Sequence, residues 1–342
     1  MSPRRAWAVL VVLSLAAFAF ITTELLPVGL LTHIAPDLDR SRSRVGMLVS
    51  GYAVVVVVAS VPLARLTQRI PRRHLLGGTM ILFAAANAAA ALASTYAVLA
   101  GARLLTALAQ ALFWSIATAT VTGPFPIAVR GRVVALFATG ATLAPVLGVP
   151  LGTWIGQHAG WRTAFAVLAG VGLAIAAAVL ILLPSYPPAT GGAARGTAPD
   201  GRRFTVLLIA TALGIGAASL IGMYALGALR PGAVAFLAGI GLAYAAFGSA
   251  VQSRMLQLAP GSTDIASAGV STAFNAGIAG GSLFGGALLS ISGARPLALV
   301  GGSLTLVALT LLAVDARRRH AATPAPAAAG RETAVRASPL PR

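Results

Sequence analysis

Apolar stretches of about 20 residues recur along the whole of this 342-residue chain. Helices of that length cross the hydrocarbon core of a bilayer, where each backbone polar group must find a partner inside the protein. Only 9% of residues are charged and the mean hydropathy is +0.88. A soluble domain carries roughly 25% charged residues. The alternating segments of an outer-membrane barrel are not evident. The fold class is therefore an all-α polytopic membrane protein.

Ten transmembrane helices are predicted, at 6–33, 45–64, 75–93, 97–121, 133–156, 161–183, 204–228, 232–251, 265–290 and 297–314. An even number puts both termini on one side. All 25 basic residues are Arg. Eighteen fall on the terminus side, six on the other, and Arg103 lies inside a helix. Positive charge marks the cytoplasmic side, so both termini are expected there. Arg4 and Arg5 precede a first run too long for a signal peptide, which reads as an uncleaved helix.

The net charge of +18 would suggest nucleic acid on a soluble protein. Here it sits in short loops and sets topology, so no nucleic-acid partner is expected. The chain has no Cys and only four scattered His, which removes disulfides, thiolate metal sites and His clusters. No nucleophile–base set or phosphate loop is found, so an enzyme is not expected and no cofactor is called for.

An internal offset of 133 residues aligns Gly148 with Gly281, Gly152 with Gly285, Gly160 with Gly293 and Arg162 with Arg295. It pairs the fifth span with the ninth. The first and seventh spans begin 198 residues apart. The difference is about two helices with their loops. The second half thus reads as a copy of the first with two helices removed, giving six plus four. The organisation is a six-helix half at 1–184, a linker at 185–203, a shortened half at 204–316 and a disordered basic tail at 317–342.

The segments "ITTELLPVGLL" (Ile21–Leu31), "RLLTALAQALFWSI" (Arg103–Ile116) and "VLGVPLGTWIGQHAGWRTAF" (Val146–Phe165) together resemble major facilitator transporters. The resemblance is strongest to bacterial sugar-efflux and chloramphenicol-efflux permeases of the drug–proton antiporter group, and covers about 1–316. It implies two helical halves, a central cavity and proton-coupled efflux. The missing helices would correspond to the eighth and parts of its two neighbours. The loop "ARLTQRIPRRHLL" (Ala64–Leu76) resembles the family's gating loop, keeping Arg69, Arg72 and Arg73. Gln68 stands where the family has an acid, and Pro71 where it has Gly. The same arginines also serve topology alone.

The fifth span resembles the family's antiporter motif in variant form, with Gly148, Pro150, Gly152 and Gly156. Glycines four apart share a helix face and let backbones approach closely. Gly277, Gly281 and Gly285 repeat that spacing in the ninth span. Pro145 and Pro150 are expected to kink the fifth.

Two ionisable groups lie deep in the spans, Glu24 and Arg103. Such groups are costly in lipid and usually face a cavity or a partner. Each lies roughly 10 Å below the outer boundary, so the depths permit an ion pair. Arg103, Gln110 and Trp114 share one face of the fourth span, which reads as cavity wall. Thr23 beside Glu24, with Tyr244 and Asn275 of the second half, completes the expected lining. A carboxyl's proton affinity changes with burial and nearby charge, so a cavity opening to alternate sides could exchange protons for substrate at Glu24. A static pair holding two helices together is the other reading.

The expected function is proton-coupled efflux of a small molecule, a sugar or a chloramphenicol-like drug. The expected setting is a bacterial-type plasma membrane, with a monomer surrounded by lipid. The alternatives are a truncated, transport-inactive remnant and a cavity-bearing sensor.

Overall fold

The computed structural model describes residues 1–184, 199–258, 263–293 and 295–321. Residues 185–198 of the expected linker and the part of the expected tail beyond 321 lie outside the described residues. The described residues are helical with short connections. Six spans build the first half. They are α1 (Pro3–Gly29, continued by the short α2, Leu31–Asp37), α3 (Arg42–Leu66), α4 (Arg72–Ala91), α5 (Tyr96–Thr122), the pair α6 (Arg130–Leu143) and α7 (Val149–Ala159), and α8 (Trp161–Leu182). The second half has α9 (Pro199–Leu226), α10 (Arg230–Leu258), α11 (Thr263–Ser292) and α12 (Arg295–Ala321). Helix α9 begins inside the expected linker, and α12 runs past the expected boundary at 316.

Nine spans among the described residues are long and apolar enough to cross a membrane. Helix α11, at the ninth expected span, packs inside the bundle. It packs along α3 and α5, and Ser267, Ser271 and Asn275 are buried there. Between α6 and α7 the chain makes a π-helical turn, Ala144–Gly148. Pro145 and Pro150 lack the amide hydrogens that a regular helix needs there, which accounts for the expected kink.

Helix α1 runs through the centre of the first half. Phe20 stacks on Phe113 at 4.8 Å and meets Phe83 edge-on at 4.7 Å. The glycines of α6 and α7 press against it. A Cβ at Gly140 would strike the main-chain carbonyl of Ser14, and one at Gly148 would strike Thr22. Gly152 and Gly156 pack on Leu26 and Leu30. The expected close-packing face of the fifth span is therefore present, and its partner is α1.

The mirrored face in α11 is different. A Cβ at Gly277 or Gly281 would meet nothing within 4 Å, and one at Gly285 would make an ordinary 3.5 Å contact with Leu297. The expectation of close packing at these three positions is corrected. The physical reason is that no described helix stands where α1 stands in the first half.

The repeat itself identifies what is missing. Gly160 and Gly293 both take positive φ, +85° and +77°, to turn the chain into the next helix. Arg162 then donates to the Ala93 carbonyl just beyond α4, at 2.7 and 3.1 Å. Arg295 donates to the Tyr224 carbonyl at the end of α9, at 2.9 Å. Helix α4 packs on α5 and α8, and α9 packs on α10 and α12. So α9 occupies the place of a third helix. Among the described residues the second half has no counterparts of α1 and α3, where the sequence pointed instead to an eighth helix with parts of its neighbours.

Candidate functional site: a cavity between unequal halves

Pro27 shapes the site. It sits inside α1 and has no amide hydrogen, so the Thr23 carbonyl loses its ordinary partner four residues on. Arg103 of α5 supplies the donor. Its Nη1 lies 2.6 Å from the Thr23 carbonyl, and its Nη2 lies 3.0 Å from the Glu24 carbonyl. The guanidinium also lies over the Tyr52 ring at 4.5 Å. Arg103 is 1% exposed.

The Arg103–Glu24 ion pair that matched depth permits is not formed. Arg103 bonds the main chain of α1, while the Glu24 carboxylate turns to Gln110. Arg103→Met is expected to lower the thermal midpoint in detergent strongly. Each buried carbonyl left without a donor costs roughly 1–3 kcal/mol. An unchanged midpoint would show that α1 does not need this donor.

Glu24 Oε2 accepts from Gln110 Nε2 at 2.7 Å, and Gln110 Oε1 accepts from the Tyr52 hydroxyl at 2.8 Å. Both Glu24 and Gln110 line a cavity of about 150 Å³ between the halves. Trp114, Tyr244 and Asn275 also line it, as the sequence implies. Thr23 does not. Successive helix residues point about 100° apart, and the Thr23 hydroxyl donates to Asn87 Oδ1 at 2.7 Å, inside the first half.

Sequence reasoning named Asn275 of α11 but missed Ser267 and Ser271 on the same wall. Ser267, Ser271 and Asn275 follow one another at intervals of four and all face the cavity. The Ser hydroxyls and Asn275 Oδ1 are buried without a protein partner. The spacing was the available signal.

At the terminus side the halves touch. Gln252 Nε2 donates to Thr118 Oγ1 at 2.7 Å. In the loop that resembles a gating loop, Arg72 Nη2 lies 2.7 Å from each carboxylate oxygen of Asp264. Asp264, at the start of α11, was missed as well. Gln68 is half-buried and Arg69 exposed, while Arg73 is half-buried with its Nε unpartnered. The acid absent from the loop is thus supplied by the other half. Burial pushes the Asp264 carboxyl above its ordinary range, and Arg72 pulls against that rise.

Arg72→Met would leave a buried carboxylate without its counter-ion, a cost on the order of 3 kcal/mol to this closed end. Because the chain has no Cys, a single reporter Cys at Ser267 can measure opening. Its labelling is expected to accelerate about 100-fold. The effect should shrink as pH falls, because protonated Asp264 no longer needs the cation. Equal labelling of parent and variant would remove any role for this pair in closure.

Two helical halves enclosing a mainly apolar cavity, with a carboxylate, amides and hydroxyls set in its wall, define a membrane carrier. The chain belongs to the Major Facilitator Superfamily, whose family profile matches residues 12–200. This is a family of transporters, not enzymes, and it works without a cofactor. A probable sugar efflux transporter of Mannheimia succiniciproducens is 31% identical, over 87% of this chain and 91% of that protein. One from Helicobacter pylori strain G27 is 32% identical, over 87% and 92%. The first alignment extends over 362 residues, longer than this chain, so the relative carries a stretch that is absent here.

The fold is shared with the human organic anion transporter MFSD10, with a TM-score of 0.72 at 16% identity, covering 91% of this chain and 100% of that one. It is also shared with the proton:xylose symporter XylE, with a TM-score of 0.71 at 11% identity, covering 92% and 96%.

Proposed function

We propose that this transporter is a proton-coupled antiporter that exports a small molecule, a sugar or a chloramphenicol-like drug. In this reading Glu24 carries the coupling proton, and Gln110, Trp114, Tyr244 and Asn275 hold the substrate. Arg103 acts through α1 by fixing the helix that presents Glu24. The observation that carries the reading is the Glu24 carboxylate in the cavity wall, held by the single side-chain hydrogen bond from Gln110. The names of the relatives support a sugar, and one fold neighbour is described as proton-coupled. The chain is proposed to work as a monomer in the plasma membrane, bounded only by lipid, with both termini cytoplasmic.

The test is transport by the purified protein in proteoliposomes. Imposed proton gradients should drive movement of methyl glucoside or chloramphenicol, and adding solute should move protons the other way. The absent counterparts of α1 and α3 favour a second reading, a shortened carrier that binds without transporting. Substrate binding with no solute-driven proton flux would select it.

A further inference from the structure

We infer that the cavity opens sideways into the bilayer between α6–α7 and α11, and that its ligand is an amphiphile with a hydroxyl-bearing head and an alkyl tail. The proposal rests on reading the cavity as the transport site, and it names the class of substrate.

The helix pairing across the halves is uneven. The second span of the first half, α3, packs along α11, the counterpart of the fifth span. The repeat calls for the reciprocal contact, the fifth span of the first half against a second span of the other. Among the described residues that second span is absent, because α9 holds the third place. Among the described residues α6 meets α10, and no second-half helix packs along the π turn or α7. One flank of the interface is closed and the other lacks its helix.

The cavity reaches toward the unfilled flank. Ala141 and Thr142 of α6 and Ile278 of α11 line it there. Beyond them the surfaces are apolar or bare. Val146 and Leu147 are 64% and 48% exposed, and Gly277 and Gly281 face open space. An alkyl chain suits this strip. Further in, Ser267, Ser271 and Asn275 keep buried polar atoms without protein partners, opposite Glu24 and Gln110. Buried polar groups of this kind call for hydrogen bonds from a ligand. One cavity thus offers a polar end and an apolar exit at lipid depth.

Tryptophan quenching tests the opening. Trp114 lines the cavity, and its signal is the difference between wild type and Trp114→Phe. In vesicles of phosphatidylcholine brominated at mid-chain, this difference signal should be quenched. Filling the rim with Ala141→Phe should relieve the quenching. No quenching of Trp114, or quenching that persists with the rim filled, overturns the sideways opening.

Octyl glucoside below its micelle concentration should displace the brominated chains at least about tenfold more tightly than methyl glucoside. That is the gain from burying roughly two methylenes. Equal potency of the two glucosides overturns the amphiphile. Proton-driven transport of methyl glucoside is measured separately. If it persists while Trp114 stays unquenched, the transport reading stands and this inference alone fails.

Discussion

Glu24→Gln is expected to abolish solute accumulation driven by a proton gradient, while binding and downhill exchange survive. The substitution keeps the shape of the side chain, and its carbonyl oxygen still accepts the Gln110 hydrogen bond seen at 2.7 Å. What it removes is the exchangeable proton. Each unit of pH gradient is worth about 1.4 kcal/mol per proton, so one-for-one exchange sustains at most a roughly tenfold solute gradient. The variant should fall to a ratio of one, and solute addition should no longer move protons. Full gradient-driven accumulation by the variant would remove Glu24 from the coupling step. Loss of binding together with accumulation would make it a substrate contact instead.

The same residue shows where the sequence was legible. A lone acid in an apolar span is a functional candidate on cost alone, and the structure sets Glu24 in the cavity wall. Depth along the helices was readable too, since Glu24 and Arg103 do lie at one level. Azimuth was not. The two side chains pass each other because Pro27 frees the Thr23 carbonyl of α1, which attracts the guanidinium. That competition is visible only once α5 stands beside α1. Thr23 failed for a related reason, since neighbouring residues on a helix point into different compartments.

The repeat was legible as an offset, because Gly160 and Gly293, and Arg162 and Arg295, carry the same turn and the same contact to a helix end. Which helices had been lost was not legible. Sequence compares where helices begin, whereas the place of α9 is fixed by what it packs on. Asp264 escaped notice for a similar reason. An acid 192 residues from Arg72 has no local pattern.

The unequal halves lead to an asymmetric result for matched substitutions. Gly140→Ala should lower the thermal midpoint clearly. Its methyl group would meet the Ser14 main-chain carbonyl, which cannot swing aside as a side chain can. Overpacking of this kind costs about 1–3 kcal/mol. Gly281→Ala carries the same change on the mirrored face of α11. There the methyl meets open space, and replacing a mid-helix glycine should contribute roughly 0.5–1 kcal/mol of stability. Midpoints of both variants, measured in one detergent at one heating rate, give the comparison. Opposite signs are expected. A loss at Gly281→Ala as large as that at Gly140→Ala would mean that another helix covers α11 in the membrane. The missing counterpart of α1 would then be supplied from outside the chain, and the flank beside the cavity would be closed.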